Sequence, residues 1–272
     1  MYPTIHFGEV EVSTQALVRF AVAWIVAFEL ARRVRGAQGY FTARGILGAV
    51  AYLIVGAAGG SWLGTLPSRV MAYWQGAEPP PPFCSWMGAL GGASLMGYLY
   101  CRRRNLPAGM FFDVAAPLAA LALALGRIGC LLRGCCYGKE TTSWLALFLP
   151  DINGVWAYRY PTRIVSLIAN LIIFALLLAF ERYAARKHYP GWPFREFLFL
   201  LYVELYSLQR FYFEFWRGDM PHLVGPFTWT HLYCLIGIGL ATRGILHRWR
   251  RKRNKEVISK RGLKCSGRSN IW

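Results

Sequence analysis

The sequence predicts an all-α integral membrane protein with seven transmembrane helices, and three observations support this fold class. Of the 272 residues, 56% are hydrophobic and only 16% are charged, whereas an average soluble domain is about 45–50% apolar and about 25% charged. Three stretches without a charged residue are each longer than the roughly 20 residues that cross a bilayer as a helix. The basic residues also concentrate in alternate connecting segments. These properties exclude a disordered chain and disfavour a small soluble enzyme.

Seven apolar segments follow one another along the chain. The charge-free segments are residues 45–68, 79–101 and 220–242. Four more segments are nearly as apolar but contain embedded charges, and these are residues 16–30, 114–132, 164–180 and 197–215. We expect each segment to form one membrane-spanning helix, because each is long enough or nearly long enough to cross the hydrocarbon core.

The distribution of Lys and Arg predicts the orientation of these helices. If the N-terminus lies outside, most of the 31 basic residues fall in the inner connecting segments and the C-terminal tail, as the positive-inside rule requires. We therefore expect an N-out, C-in protein, with a membrane domain at residues 1–247 and a basic cytoplasmic tail at residues 248–272. The tail explains much of the net charge of +18 through topology and contact with anionic lipid, so no nucleic-acid partner is expected.

Two arginines near the outer ends of the fourth and sixth spans depart from the charge rule. A charge within a span costs at least ~2.5–3.5 kcal/mol on insertion scales and usually faces a polar interior or a functional cavity. Glu214 follows Arg210 by four residues, so the two side chains can pair along one helix face. We expect Arg127 and Arg210 to share an anion site, and a phospholipid phosphate is the anion most readily available there. Snorkelling of these side chains to the headgroups is the alternative interpretation.

Several motifs resemble the prolipoprotein diacylglyceryl transferase family. They are the segment 85–92 at the start of the third span, the inner loop 102–113, the Gly126-Arg-Ile-Gly129 signature with Gly134 and Gly138, the Tyr160-Pro-Thr-Arg163 opening of the fifth span, and Arg210, Glu214 and Arg217 at the end of the sixth. The resemblance runs in order from about residue 62 to residue 238.

The resemblance implies an enzyme of the bacterial inner membrane, with several spans, that uses no cofactor and no metal. Such an enzyme moves the diacylglyceryl group of phosphatidylglycerol, or of a related anionic phospholipid, to the lipobox cysteine of a membrane-tethered prolipoprotein. The implied catalytic residues are Arg127 and Arg210, and the implied substrate-binding residues are Gly126, Arg127, Arg133, Gly138, Arg210, Glu214 and Arg217. Glu214 is expected to orient a guanidinium rather than to act as a base.

The chain departs from the family pattern where the acceptor thiol would be activated. Met87 stands where the family usually has a histidine, and Cys130 and Cys135 stand near positions where it favours asparagine and glutamate. Two alternatives therefore stay open. One is a phospholipid-binding protein that is non-catalytic or uses another acceptor, and the other is a membrane thiol-redox protein using Cys130, Cys135 and Cys136 as nucleophile or redox pair. The same thiols could equally be packing residues or form a plain disulfide.

The segment 139–159, between the fourth and fifth spans, is rich in Trp, Phe and Leu. We expect it to form an amphipathic arm on the outer leaflet that steers a membrane-tethered substrate. The cysteine spacing is not that of common thiol oxidoreductases. No ligand cluster predicts a metal site, and no phosphate-binding glycine loop predicts a nucleotide site.

Overall fold

Seven helices form the body of the molecule, and two short hairpins accompany them. The computed structural model describes residues 4–7, 10–36, 43–77, 79, 85–187 and 193–266. The helices are α1 (Thr14–Gly36), α2 (Ala43–Trp74), α3 (Trp86–Arg103), α4 (Ala108–Arg133), α5 (Thr162–Lys187), α6 (Phe197–Glu214) and α7 (Trp229–Ser266). The strands are β1 (Thr4–Phe7), β2 (Val10–Ser13), β3 (Leu147–Pro150) and β4 (Trp156–Arg159).

All seven apolar segments coincide with helices, although two of the helices begin later than expected. The third begins at Trp86, not at residue 79, and the expected residues 80–84 lie outside the described part of the chain. The seventh begins at Trp229, because Pro221 and Pro226 interrupt the charge-free stretch before it and proline cannot continue a helix interior. The same helix runs on through the basic tail to Ser266.

Within the described residues, four helices are long and apolar enough to cross a bilayer. Their apolar stretches are Thr14–Arg33, Leu47–Trp74, Ala108–Arg133 and Thr162–Arg186. Large apolar side chains such as Phe28 and Leu47 are exposed on the outer surfaces of these helices, as expected where lipid replaces water. The chain is a multi-pass membrane protein.

Side-chain and backbone caps position the helix ends. The Ser85 hydroxyl accepts a hydrogen bond from the Gly88 amide at 3.1 Å and begins α3, as N-cap serines commonly do. Gly134 ends α4 in the left-handed conformation with φ 87°, which glycine adopts without steric cost. The carboxylate of Asp113 on α4 accepts from the amides of Glu196 and Phe199 at 2.7 and 3.3 Å and so caps the start of α6.

Glycines allow α2 and α3 to pack backbone against backbone. A Cβ on Gly56 would clash with the carbonyl of Gly92, and a Cβ on Gly60 would clash with that of Gly88. Small residues at four-residue intervals are typical of close helix pairs in membranes. A hydrophobic core lies between α4, α5 and α6 and buries Ala116, Ala120, Leu177, Tyr202 and Tyr206. These contacts hold α3, α4 and α6 around a common space.

The two hairpins are antiparallel and were not expected from the sequence. Strand β1 pairs with β2 beside the start of α1, and β3 pairs with β4 between α4 and α5. The second hairpin forms most of the expected arm. It is amphipathic, since Trp144, Phe148 and Trp156 are exposed while Arg159 is buried against Asp151 and Glu140, at 3.3 and 3.0 Å. The arm is therefore a β-ribbon.

Candidate functional site

The end of α6 carries a buried network of charges. Arg210 Nη2 lies 2.6 Å from Glu214 Oε2, and Arg217 Nη1 lies 3.5 Å from the same oxygen. The hydroxyl of Thr228 donates to the other carboxylate oxygen at 3.0 Å. Glu214 is almost completely buried, with 2% of its surface exposed. The expected pairing of Arg210 with Glu214 is confirmed, and the same carboxylate also holds Arg217.

Among the described residues, the buried arginines of this network outnumber its carboxylates. Arg217 pairs with both oxygens of Asp219 at 2.7 and 2.6 Å, so Glu214 and Asp219 together face Arg210 and Arg217. Arg127 is buried on α4, and within the described residues its Nε has no hydrogen-bond partner. Three guanidiniums thus face two carboxylates, and the excess charge favours an anionic ligand.

A cavity of about 670 Å³ joins these arginines to the apolar interior. Arg127, Arg210 and Arg217 line its polar end together with Gly126. Most of the remaining wall comes from apolar residues of the first four helices, including Val22, Val26, Leu53, Leu118 and Leu123, and α6 and α7 contribute Phe199 and Tyr233. Arg127 and Arg210 therefore face one cavity, as the sequence led us to expect.

Three of the expected substrate-binding residues do not line the cavity: Glu214 lies behind the arginines that it pairs with, and Arg133 and Gly138 have structural positions. Arg133 Nη1 donates to Gln15 Oε1 at 2.7 Å and is not among the cavity residues. Gly138 forms a bridge with Arg217, and a Cβ at this position would clash with the backbone of Tyr160. Gly138 thus lets the loop after α4 pack between the end of α6 and the start of α5.

Residues at the start of α5 support the loop that carries the cysteines. Arg163 Nε donates to the carbonyl of Cys135 at 2.7 Å, and its Nη2 donates to the carbonyl of Pro150 at 3.0 Å and to that of Gly134. The Thr162 hydroxyl donates to the carbonyl of Cys136 at 2.9 Å. These residues therefore hold the loop in place.

Cys130, Cys135 and Cys136 form one compact cluster at the polar end of the cavity. The Sγ atoms of Cys130, Cys135 and Cys136 all lie within 4.8 Å of one another, and all three residues line the cavity. Gln15 Nε2 contacts the sulfurs of Cys130 and Cys135 at 3.8 and 3.5 Å. Hydrogen bonds from the other two thiols, together with the charges of Arg217 and Arg127, hold the pKa of Cys136 below its ordinary value. The two neighbouring guanidiniums therefore favour the thiolate form of Cys136.

Comparison with known proteins assigns the family. A family model described as prolipoprotein diacylglyceryl transferase matches residues 5–247. The chain belongs to this family.

Curated relatives support the assignment over shorter stretches. The phosphatidylglycerol–prolipoprotein diacylglyceryl transferase of Gloeobacter violaceus is 32% identical over 70% of this chain and 67% of its own length. The protein of that name from Clostridium tetani is 36% identical over 48% of this chain and 51% of its own length. The one from Dehalococcoides mccartyi strain 195 is 34% identical over 62% of this chain and 63% of its own length. The chain thus spans about half to two thirds of the length of the relatives it matches.

Two features of this member of the diacylglyceryl transferase family concern the cavity lining, and they are Met87 and the cysteine cluster. Met87, at the position of the usual family histidine, lines the cavity, so the substitution lies inside the site. The sequence led us to expect no metal. The fold nevertheless brings three thiols, separated as Cys-x4-Cys-Cys, to one point.

Sequence reasoning missed three residues of the site and the contacts of a fourth. Tyr206 is fully buried, lines the cavity, and precedes Arg210 by one helical turn, a spacing that could have revealed it. Thr228 and Gln15 contact site residues from other elements, and no local pattern indicates such contacts. The position of Arg163 in the Tyr160-Pro-Thr-Arg163 motif was noted, but the carbonyl groups it binds lie up to 29 positions earlier in the chain.

Proposed function

We propose that this protein transfers the diacylglyceryl group of phosphatidylglycerol, or of a related anionic phospholipid, to the lipobox cysteine of a membrane-tethered prolipoprotein. The observation that carries the proposal is the cavity, whose lining is mostly apolar but includes four arginines, Arg19 on α1 and Arg127, Arg210 and Arg217 at the polar end. A diacyl lipid has the same division, with apolar chains joined to a phosphate. Family membership and the names of the relatives support the same reaction.

The arginines account for the chemistry at the polar end. The acceptor sulfur forms a bond to the terminal glycerol carbon of the diacylglyceryl unit, and the bond from that carbon to the phosphate oxygen breaks. The electron pair leaves with glycerol phosphate. Fixed positive charge stabilises the developing phosphate dianion, so Arg127 and Arg210 are the proposed catalytic residues. Arg217 binds the phosphate group, Glu214 orients Arg210 and Arg217, and Gly126 lets the headgroup approach α4.

The topology proposal places this polar end on the outer side of the bacterial inner membrane. We propose seven spans, N-out and C-in, with the membrane domain at residues 1–247 and a cytoplasmic tail at residues 248–272. In support, α7 begins beside the site at Trp229 and reaches Arg248, which pairs with Glu196 at the start of α6. At 1.5 Å per residue this stretch is about 30 Å long, the thickness of the hydrocarbon core. The exposed aromatic hairpin then lies beside the outer leaflet.

A transfer assay with purified full-length protein tests the function. Labelled phosphatidylglycerol and a lipobox peptide are incubated with wild type, Arg210→Ala and Arg102→Ala. Arg102 is an exposed arginine at the end of α3, away from the cavity, and serves as the matched control. We expect labelled thioether product from wild type and Arg102→Ala, and a loss of about 10²–10³-fold in Arg210→Ala.

Parallel reactions with zwitterionic phospholipids and with a Ser-substituted peptide define the specificity. Product that forms equally from zwitterionic lipid would contradict the role of the uncompensated positive charge. Phospholipid binding without product from any lipid would support a non-catalytic binding protein instead.

A further inference from the structure

We propose that Cys130, Cys135 and Cys136 form a Zn²⁺ site whose fourth position faces the cavity and receives the acceptor thiol. The proposal rests on the proposed function for the identity of the acceptor. It follows from three thiols that meet in one place, although they come from two different segments, the end of α4 and the loop after it.

The distances between the sulfurs suit one soft metal ion. Zn–S bonds are about 2.3 Å long, so three sulfurs around tetrahedral Zn²⁺ lie about 3.8 Å apart. The three Sγ atoms already lie within 4.8 Å of one another, and rotation of the side chains closes the remaining gap. Thiolates select Zn²⁺ and Cu⁺ over the hard divalent ions. We commit to Zn²⁺, because three protein ligands and one open position are typical of its catalytic sites.

Hydrogen bonds from α5 fix the backbone of the loop that carries Cys135 and Cys136, as is common around metal ligands. The carbonyls of Cys135 and Cys136 accept hydrogen bonds from Arg163 and Thr162 at 2.7 and 2.9 Å, which positions both backbones. Cys136 has φ 60°, a left-handed conformation that is unusual for a residue with a side chain. Such contacts around the ligands orient them and contribute to metal affinity.

Cationic and N–H donor groups surround the three sulfurs. Three thiolates and one Zn²⁺ together carry one negative charge. Arg127 and Arg217 line the same end of the cavity as the cysteines, and Gln15 Nε2 points an N–H group at two of the sulfurs. These positive and donor groups stabilise a thiolate complex in a site that is partly removed from water.

A metal at this position would promote loss of the proton of the acceptor thiol. This chain has Met87 where the family usually has a histidine that could accept that proton. A free cysteine has a pKa of about 8.5 and is only a few per cent thiolate at neutral pH, whereas a coordinated thiol is deprotonated. The acceptor cysteine would bind as thiolate, and its proton would leave to solvent. The sulfur would then lie beside Arg127, where the phosphate ester is expected, and would attack its glycerol carbon.

Metal content tests the site independently of activity. Full-length protein in detergent is reduced, stripped with a chelator, loaded with Zn²⁺ alone, dialysed and separated by size exclusion before elemental analysis. We expect about one Zn²⁺ per chain in wild type and in Cys101→Ala, whose thiol is buried in another part of the molecule. Cys130→Ala and Cys136→Ala should each weaken zinc binding by more than about 100-fold, beyond the 10–100-fold typical of outer-shell changes.

Cobalt substitution tests the open position. A lipobox peptide should raise the sulfur-to-Co²⁺ charge-transfer absorption by about one third, because the number of metal–sulfur bonds rises from three to four. A peptide with Ser in place of Cys should leave the absorption unchanged. The proposal would be overturned if wild type bound no more zinc than Cys136→Ala. It would also be overturned if wild type bound no metal and its mass were lower by the hydrogens that one disulfide bond removes. An equal response to both peptides would overturn the role of the metal in binding the acceptor.

The same preparations separate this inference from the proposed function. Zinc and cysteine-peptide binding without transfer from any phospholipid would refute the transferase proposal and retain the metal site. Transfer that proceeds at the wild-type rate after zinc is stripped, and equally in Cys136→Ala, would refute the metal site and retain the transferase.

Discussion

Replacing Glu214 with glutamine removes one charge from the middle of the buried network and leaves its shape nearly unchanged. The carboxylate is shared by Arg210 at 2.6 Å and Arg217 at 3.5 Å. Arg217 keeps Asp219 as a partner, whereas Arg210 has no other acidic partner in the described part of the chain. The variant therefore leaves one guanidinium buried without its counter-ion.

The size of the effect follows from this loss of a counter-ion. Removing one partner of a buried ion pair costs about 3–5 kcal/mol, and glutamine keeps the hydrogen bond from Thr228, so we expect the low end of about 3 kcal/mol. At about 2–4 °C per kcal/mol for a chain of this size, the Tm should fall by roughly 6–12 °C. The transfer rate should fall by about 10²–10³-fold, because Arg210 loses its orientation toward the phosphate.

The matched control is the same substitution at an exposed glutamate, Glu140, whose buried partner Arg159 keeps Asp151 as a second carboxylate. Glu140 lies 3.0 Å from Arg159 but is 67% exposed, and exposed pairs contribute about 0.2–1 kcal/mol. Thermal unfolding in one detergent should therefore separate Glu214→Gln clearly from Glu140→Gln. The pH profile of the residual Glu214→Gln activity should keep the wild-type shape. A Tm no lower than that of the control would refute the buried-pair reasoning, and loss of one limb of the pH profile would identify Glu214 as a proton acceptor.

Three further predictions concern packing, the acceptor and the topology. Gly60→Ala should destabilise the protein by about 1–3 kcal/mol, because the new Cβ would clash with the backbone of α3. Gly59→Ala places its Cβ in open space, with nothing within 4 Å, and should be neutral or slightly stabilising in thermal unfolding. Equal Tm values for the two variants would contradict the close packing. Met87→His should raise the transfer rate of zinc-stripped protein, because the histidine faces the cavity and can accept the acceptor's proton, and it should change the rate of zinc-loaded protein little; no gain without zinc would show that residue 87 does not reach the thiol. A single cysteine engineered at Lys139 should react with an impermeant reagent from outside, and one at Lys187 only after permeabilisation; labelling of Lys139 from the cytoplasmic side alone would reverse the proposed orientation.

Local properties of the sequence were enough to predict the helices and one part of the site. A long apolar segment has few alternatives to a helix in lipid, because every backbone polar group must be satisfied within the segment. The seven segments therefore correspond to α1 through α7. The pairing of Arg210 with Glu214 was predictable for a similar reason, since a spacing of four residues places both side chains on one helix face.

The hairpins and the late start of α7 depend on weaker signals. Strands of four residues, such as β3 and β4, are too short for alternation to distinguish them from an amphipathic helix. The low charge of residues 220–228 suggested a membrane span. Pro221 and Pro226 instead make this stretch a loop, and the hydrogen bond from Thr228 to Glu214 holds its end.

Only the tertiary structure decided which side chains meet at the polar end of the cavity. Arg127 and Arg210 lie 83 positions apart, and Gln15 reaches Cys135 across 120 positions. The apolar segments and the arginines within them were visible in the sequence, and they correspond to seven helices and to buried guanidiniums. Contacts at such separations depend on how the helices pack, here on the glycines between α2 and α3 and on the core of α4, α5 and α6. The three thiols show the same limit: their spacing matches no familiar ligand pattern, and they converge because Gly134 turns the chain back and Arg163 holds the loop in place.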